Sequence, residues 1–326
     1  MLNRDTLTAI RHLSSRLSAP GGERAACTLY PLPPSRHGEG IADPGAQDET
    51  IWLRGKQPWI QPHLEQARQQ TWHPAAVPLN EDARHWRAAN PPGEDEHALL
   101  GHALATLLYL DETTPAPPRL QNADYARYRQ LQTIAETRRT LACRRLVWAL
   151  NLPLSALEPL PVIHRMDDWQ NRRHLDDRPL TRLVKRVAFG GVLLTPALLQ
   201  GLALARQAGL SGITTLFGNA YRDASAHLAF ELALYEQLRD KARPYQEQPL
   251  PETLLACIRE ALELATEYAY DSQPRGLLGL NAPMLEEHLR FTANACCRAL
   301  RLPEPCPDAR DPLGWLTRPA GEIDPT

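Results

Sequence analysis

From Trp52 onward, apolar residues recur every three or four positions over long stretches separated by short proline-rich connectors, the spacing of helices that turn one face to a core. Glu94–Leu110 follows Pro91-Pro92-Gly93 and carries acids in its first turn, which suits the positive end of a helix dipole. The same periodicity predicts helices over Asp124–Leu150, Leu180–Ala208, Thr215–Lys241, Pro251–Tyr270 and Ala282–Leu302, with Gly209 closing the apolar one. No strand-like alternation competes and no repeat of fixed period is evident, so the pattern predicts an all-α bundle.

Within that pattern, Val187 to Ala205 is almost wholly apolar and about long enough to cross a bilayer. Gly190, Gly191, Thr195, Pro196, Gln200 and Gly201 interrupt it and it stands alone, so it reads as a buried central helix kinked near Pro196. Residues 1–50 carry Pro31, Pro33, Pro34, Gly38, Gly40, Pro44 and Gly45 after a short amphipathic start at Leu7 to Leu17, and read as a mobile extension. The helical domain then covers residues 51–316, with 317–326 as a short tail.

Composition narrows the function. The formal net charge of −2 and the scattering of arginines along helices disfavour nucleic-acid and membrane-surface partners. Six cysteines lack paired metal-ligand spacing and follow no secretory signal, which predicts reduced thiols in a cytoplasmic protein. Adjacent Cys296 and Cys297 fall on different helix faces and read as packing residues.

The most informative phrase is Arg222-Asp223-Ala224-Ser225-Ala226-His227, followed by the apolar stripe Leu228, Phe230, Leu232 and Leu234. Ferritin-like carboxylate proteins use Glu-x-x-His on one helix face to hold a pair of metals, and here Ala224 stands where the acid would be. Other segments extend the likeness: Gln70-Thr71-Trp72-His73-Pro74, Asp82 with Trp86, and Leu107-Leu108-Tyr109-Leu110-Asp111. Further along come Glu263-Leu264-Ala265-Thr266-Glu267-Tyr268, Gly276-Leu277-Leu278-Gly279-Leu280-Asn281, the closing stretch Leu285 to Leu302, and Asp311-Pro312-Leu313-Gly314-Trp315. In this order, over about residues 55 to 316, they resemble the radical-generating small subunit of ribonucleotide reductase, which implies a ferritin-like helical bundle of that type.

The resemblance implies a di-iron or di-manganese centre held by four carboxylates and two histidines, which oxidises a nearby tyrosine. Carried over residue by residue, Asp111 matches the first aspartate. Glu136 matches the next glutamate, while Arg139 stands at a histidine position and Cys143 at the radical tyrosine. The third acid falls at or near Gly190, Ala224 replaces the fourth, and His227 matches the second histidine. With only Asp111, Glu136 and His227 left as ligands, too few donors remain for tight metal binding, and no cofactor is expected. A guanidinium at Arg139, paired with Asp111 and Glu136, would lower the cost of burying carboxylates without metal. The expected centre is therefore salt-bridged and metal-free.

Trp72 and Asp223 match the family's electron-transfer pair, but the histidine and tyrosine of that path are replaced. The sequence ends shortly after Trp315 and no tyrosine follows Tyr270, so the family's tyrosine-bearing docking tail is not expected. Plainer readings stay open at each position: Asp111 as an exposed helix-end acid, Glu136 with Arg139 as a solvated surface pair, His227 as a hydrogen-bonded core histidine, and Cys143 as packing. Arg138 or Tyr128 becomes a candidate if the helix register shifts by a turn. The leading expectation is a non-catalytic scaffolding or regulatory homologue, dimeric with itself or paired with a reductase large subunit or another protein. The alternatives are an unconventional metal-free radical subunit and an oxidase or ligand-binding protein with a repurposed core.

Overall fold

The computed structural model describes residues 51–52, 56–87, 93–110, 120–171, 178–242, 251–277 and 279–317. Residues 1–50, the expected N-terminal extension, lie outside the described residues, as do Asp111 and residues 318–326. Every described residue belongs to one compact unit, Ile51–Thr326. Among the described residues the regular structure is helical, apart from a two-residue parallel pairing of β1 (Ile51–Trp52) with β2 (Leu120–Gln121) and an isolated bridge between Leu277 and Leu280.

The first helices are α1 (Ile60–Gln69), α2 (Leu79–Trp86), α3 (Glu94–Leu110), α4 (Ala123–Leu150) and α5 (Pro161–Asn171). The rest of the bundle is α6 (Pro179–Ala188), α7 (Thr195–Gln207), α8 (Ser211–Ala242), α9 (Pro251–Ser272), α10 (Ala282–Leu300) and the short α11 (Gly314–Thr317). Local chemistry sets many of these ends. Asn122 caps α4 by accepting from the amides of Asp124 and Tyr125, and Asn281 caps α10 by accepting from Met284. Asn281 is delivered by a tight turn in which Gly276 and Gly279 hold φ of +72° and +79°, a conformation costly for residues with a Cβ.

The apolar run is indeed central: 94 % of its most hydrophobic window is buried inside the bundle. Its break lies upstream of the expected place. A π-helical turn, Phe189–Leu193, separates α6 from α7, and Pro196 sits in the first turn of α7, where a missing amide hydrogen costs little. Gly201 lets α7 approach α8, because a Cβ there would fall 2.2 Å from the Phe217 ring. Both Cys296 and Cys297 are buried, and burial raises their thiol pKa values to about 12 and about 11, so neither is a reactive thiolate.

Asp82 ties α2 to α8. Its buried carboxylate accepts from the amides of Gly212 (3.1 Å) and Ile213 (2.6 Å), at the positive end of the α8 dipole. Gly212 permits the approach, since a Cβ there would meet Pro78 O at 2.7 Å.

Candidate functional site

Helices α4, α6 and α8 face one another across a small cavity of about 30 Å³, room for about two water molecules. Helix α4 contributes Gln132, Glu136 and Arg139, spaced so that all three share a face. Arg186 enters from α6 and Gly190 from the π turn, while α8 contributes Ala224, His227 and Glu231. The structure therefore brings together Glu136, Arg139, Gly190, Ala224 and His227, five positions picked out in the sequence.

The charge at the centre of this site was not anticipated. Glu231 is buried and is gripped by the Arg129 guanidinium through both oxygens, at 2.5 and 2.8 Å, with Arg186 Nε donating at 2.8 Å. Burial alone would raise its pKa, but the two guanidiniums outweigh that and hold the carboxyl down at about 2. Arg129 also donates to Gln132 Oε1 (2.6 Å), and Gln132 donates to Glu136 (3.1 Å), so one hydrogen-bonded chain crosses from α8 to α4. The Arg129 guanidinium lies 4.9 Å from the Tyr125 ring and 5.3 Å from the Phe230 ring, within cation–π range of both.

His227 sits on this wall. Its Nδ1 is 3.2 Å from the Tyr128 hydroxyl, which also donates to Ala226 O, and its buried Nε2 has no hydrogen-bond partner. Burial first, and the Arg139 charge second, lower its pKa to about 3, so the imidazole is neutral at pH 7. Tyr128 is fully buried, stacks on Phe230 at 3.6 Å between centroids, and has its hydroxyl pKa raised by burial.

The remaining candidates divide. Trp72 Nε1 donates to Asp223 Oδ2 at 2.8 Å, and Arg138 lies over the Trp72 ring while donating to its carbonyl. Burial raises the Asp223 pKa, opposed by the Trp72 hydrogen bond. Cys143 is fully buried in the packed core one turn beyond Arg139 and is not among the cavity walls. Arg139 is buried, and its expected partner Asp111 lies outside the described residues. Ion pairs at the centre run from Arg129 and Arg186 to Glu231. One sequence signal was available for these: Glu231 is a charged residue inside an apolar stripe, four positions from His227 and on the same face.

Metal chemistry can be judged from the donors. Among the described residues, no three His, Cys, Asp or Glu side chains gather as a metal-binding group. Arginine keeps its proton and cannot ligate, and the cavity is walled by Arg139 and Arg186. The described donors do not fit a two-metal centre.

Comparison with known proteins places this geometry. The family model "Ribonucleotide reductase, small chain" matches residues 153–312, a span that includes Arg186, Gly190, Asp223, His227 and Glu231. The chain is similar to the ribonucleotide reductase small chain over that span, about half of its length. A ribonucleoside-diphosphate reductase subunit beta from Chlamydia pneumoniae is 23 % identical over 312 residues, covering 86 % of this chain and 87 % of that protein. The R2 subunit structure from Clostridium botulinum superposes with a TM-score of 0.70 at 16 % identity, over 80 % of this chain and 87 % of the other. The Rnr4 homodimer from Saccharomyces cerevisiae gives 0.65 at 18 % identity, over 81 % and 85 %. These likenesses establish the ferritin-like helical fold of the ribonucleotide reductase small subunit.

Proposed function

We propose that this small-subunit relative is a metal-free, non-catalytic homodimer that scaffolds or regulates a ribonucleotide reductase assembly in the cytoplasm. The observation that carries this reading is the cavity wall, where Arg139 and Arg186 stand beside Gly190 and Ala224, the positions at which the family resemblance places acids. Fixed guanidinium charge there opposes a divalent cation, and the Arg129–Glu231–Arg186 pairing supplies the electrostatic closure that a metal would otherwise provide. Self-association is supported by α4, where Ile134, Leu141 and Trp148 recur every seventh residue and are 53 %, 47 % and 64 % exposed. The solved relative from yeast is itself a homodimer.

The test is metal analysis and electron paramagnetic resonance on protein purified from cells supplied with iron and manganese, with mass measured by light scattering. Well under one ion per chain, no radical signal and a dimer mass are expected; about two ions per chain would overturn the reading. One observation favours a second reading, a metal-free radical subunit. Tyr128, buried and touching His227, offers a shielded redox-active ring that Cys143 does not. A metal-independent radical signal lost in Tyr128→Phe would establish it.

A further inference from the structure

Helix α4 is 28 residues long, about 42 Å at the α-helical rise, and packs its inner face against α1, α2, α3 and α8. Its outer face lacks the charge expected of a helix surface that stays in water. Ten residues of α4 are exposed, and two of them, Arg127 and Arg145, are charged. The other eight are alanine, threonine, glutamine or large apolar residues, and none of the ten is an acid. Six large apolar side chains are exposed among the described residues: three of them, Ile134, Leu141 and Trp148, stand on this face, and a fourth, Leu154, sits in the turn that follows. So concentrated a patch marks a surface that another molecule covers.

The spacing and the charges select a second copy of the same helix, and its direction. Ile134, Leu141 and Trp148 stand seven residues apart, the period of a seam that two helices share when they cross at about 20°. A parallel pairing in register would set Arg127 and Arg145 each against its own copy, two like-charge contacts. An antiparallel pairing about a twofold axis at Leu141 makes positions equally far before and after that residue face each other. Leu141 then meets Leu141, Trp148 covers Ile134 of the second copy, Arg145 faces Thr137, and Arg127 falls beyond the end of the opposing helix at Leu150. This register also sets Arg138 across from Arg144, but Arg138 is drawn aside, over the Trp72 ring and donating to the Trp72 carbonyl. With the axis moved to lie between Thr137 and Arg138, Ile134 would meet Leu141 while Trp148 faced Arg127. That register matches one apolar row fewer.

We infer that the homodimer is built by two α4 helices that cross antiparallel on a twofold axis through Leu141. The inference rests on the homodimer proposed above and supplies its geometry.

Single cysteines in the full chain test the register, with oxidation by copper phenanthroline and non-reducing electrophoresis beside the native chain. Leu141→Cys should cross-link to itself, whereas Ile134→Cys and Trp148→Cys should cross-link only when the two chains are co-expressed. Charge variants read the axis independently by light scattering. Leu141→Arg and Leu141→Glu each oppose like charges across it, so each alone should dimerise at least about a hundredfold more weakly, and an equal mixture should recover the dimer. A native dimer in which Leu141→Cys fails to link, or in which Ile134→Cys links to itself or to Leu141→Cys, would overturn this geometry and leave the homodimer standing. The same holds if the mixed charge variants stay monomeric, whereas a monomeric native chain would overturn both. Should a charge variant fail to fold, the cysteine series decides.

Discussion

Asp82 and Glu231 are equally buried carboxylates, each 2 % exposed, and the bundle satisfies them in opposite ways. Asp82 accepts from two consecutive backbone amides at the start of α8, partners that any sequence forming that helix would supply. Glu231 accepts from two guanidiniums carried by α4 and α6, and a change of side chain at any one of these positions disturbs the others. The first arrangement belongs to the helical framework, side chain to backbone. The second is a side-chain device placed at the centre of that framework, where three helices meet.

The same isosteric loss of charge at both acids gives the sharpest contrast. Glu231→Gln should destabilise the fold by about 3 kcal/mol or more, because it leaves two buried guanidiniums without their counter-charge. Urea unfolding measures this, and a loss no larger than that of Asp82→Asn would break the comparison. Next in size is a pH effect. His227 has its pKa lowered from 6.5 to about 3 in the fold, so the unfolded chain takes up a proton that the folded one refuses. Stability is then full above pH 6.5 and falls as pH drops toward 3, by up to about 1.4 kcal/mol per pH unit. His227→Gln should flatten that arm in melts run across the range. The Glu231 contribution, with its depressed pKa, is present above about 4.5 and lost as pH falls from there through about 2, so only the His227 arm acts between about 6.5 and 4.5.

Asp82→Asn keeps an acceptor at the α8 amides but loses the charge, and should cost about 1 kcal/mol in the same unfolding assay. Smallest is Trp72→Phe, which deletes one hydrogen bond to a partly screened Asp223 and should cost less than about 1 kcal/mol by thermal melting.

How much of this was legible in the sequence follows from the range over which each cause acts. Helix α3 begins and ends at the expected residues, and α4, α9 and α10 differ by two residues or fewer at either end, because periodicity, caps and Gly-rich turns are local signals. The break between α6 and α7 was expected at Pro196 but falls at Phe189–Leu193, since a π turn carries no proline mark and arises from how the helix packs. The positions of Glu136, Arg139, Gly190, Ala224 and His227 on one cavity were readable from spacing combined with family resemblance. The Arg129–Glu231–Arg186 pairing was not, because the resemblance marks none of these three positions and spacing alone does not pair side chains on different helices.

The π turn also sets two neighbouring glycines in unlike surroundings. A Cβ at Gly191 would press on Cys296 Sγ at 2.8 Å, whereas one at Gly190 would meet nothing within 4 Å. Position 190 is thus a natural anchorage for a reporter: a cyano- or fluorine-bearing side chain installed there would sit on the wall of the arginine-lined cavity and register, by its vibrational or resonance frequency, what enters it.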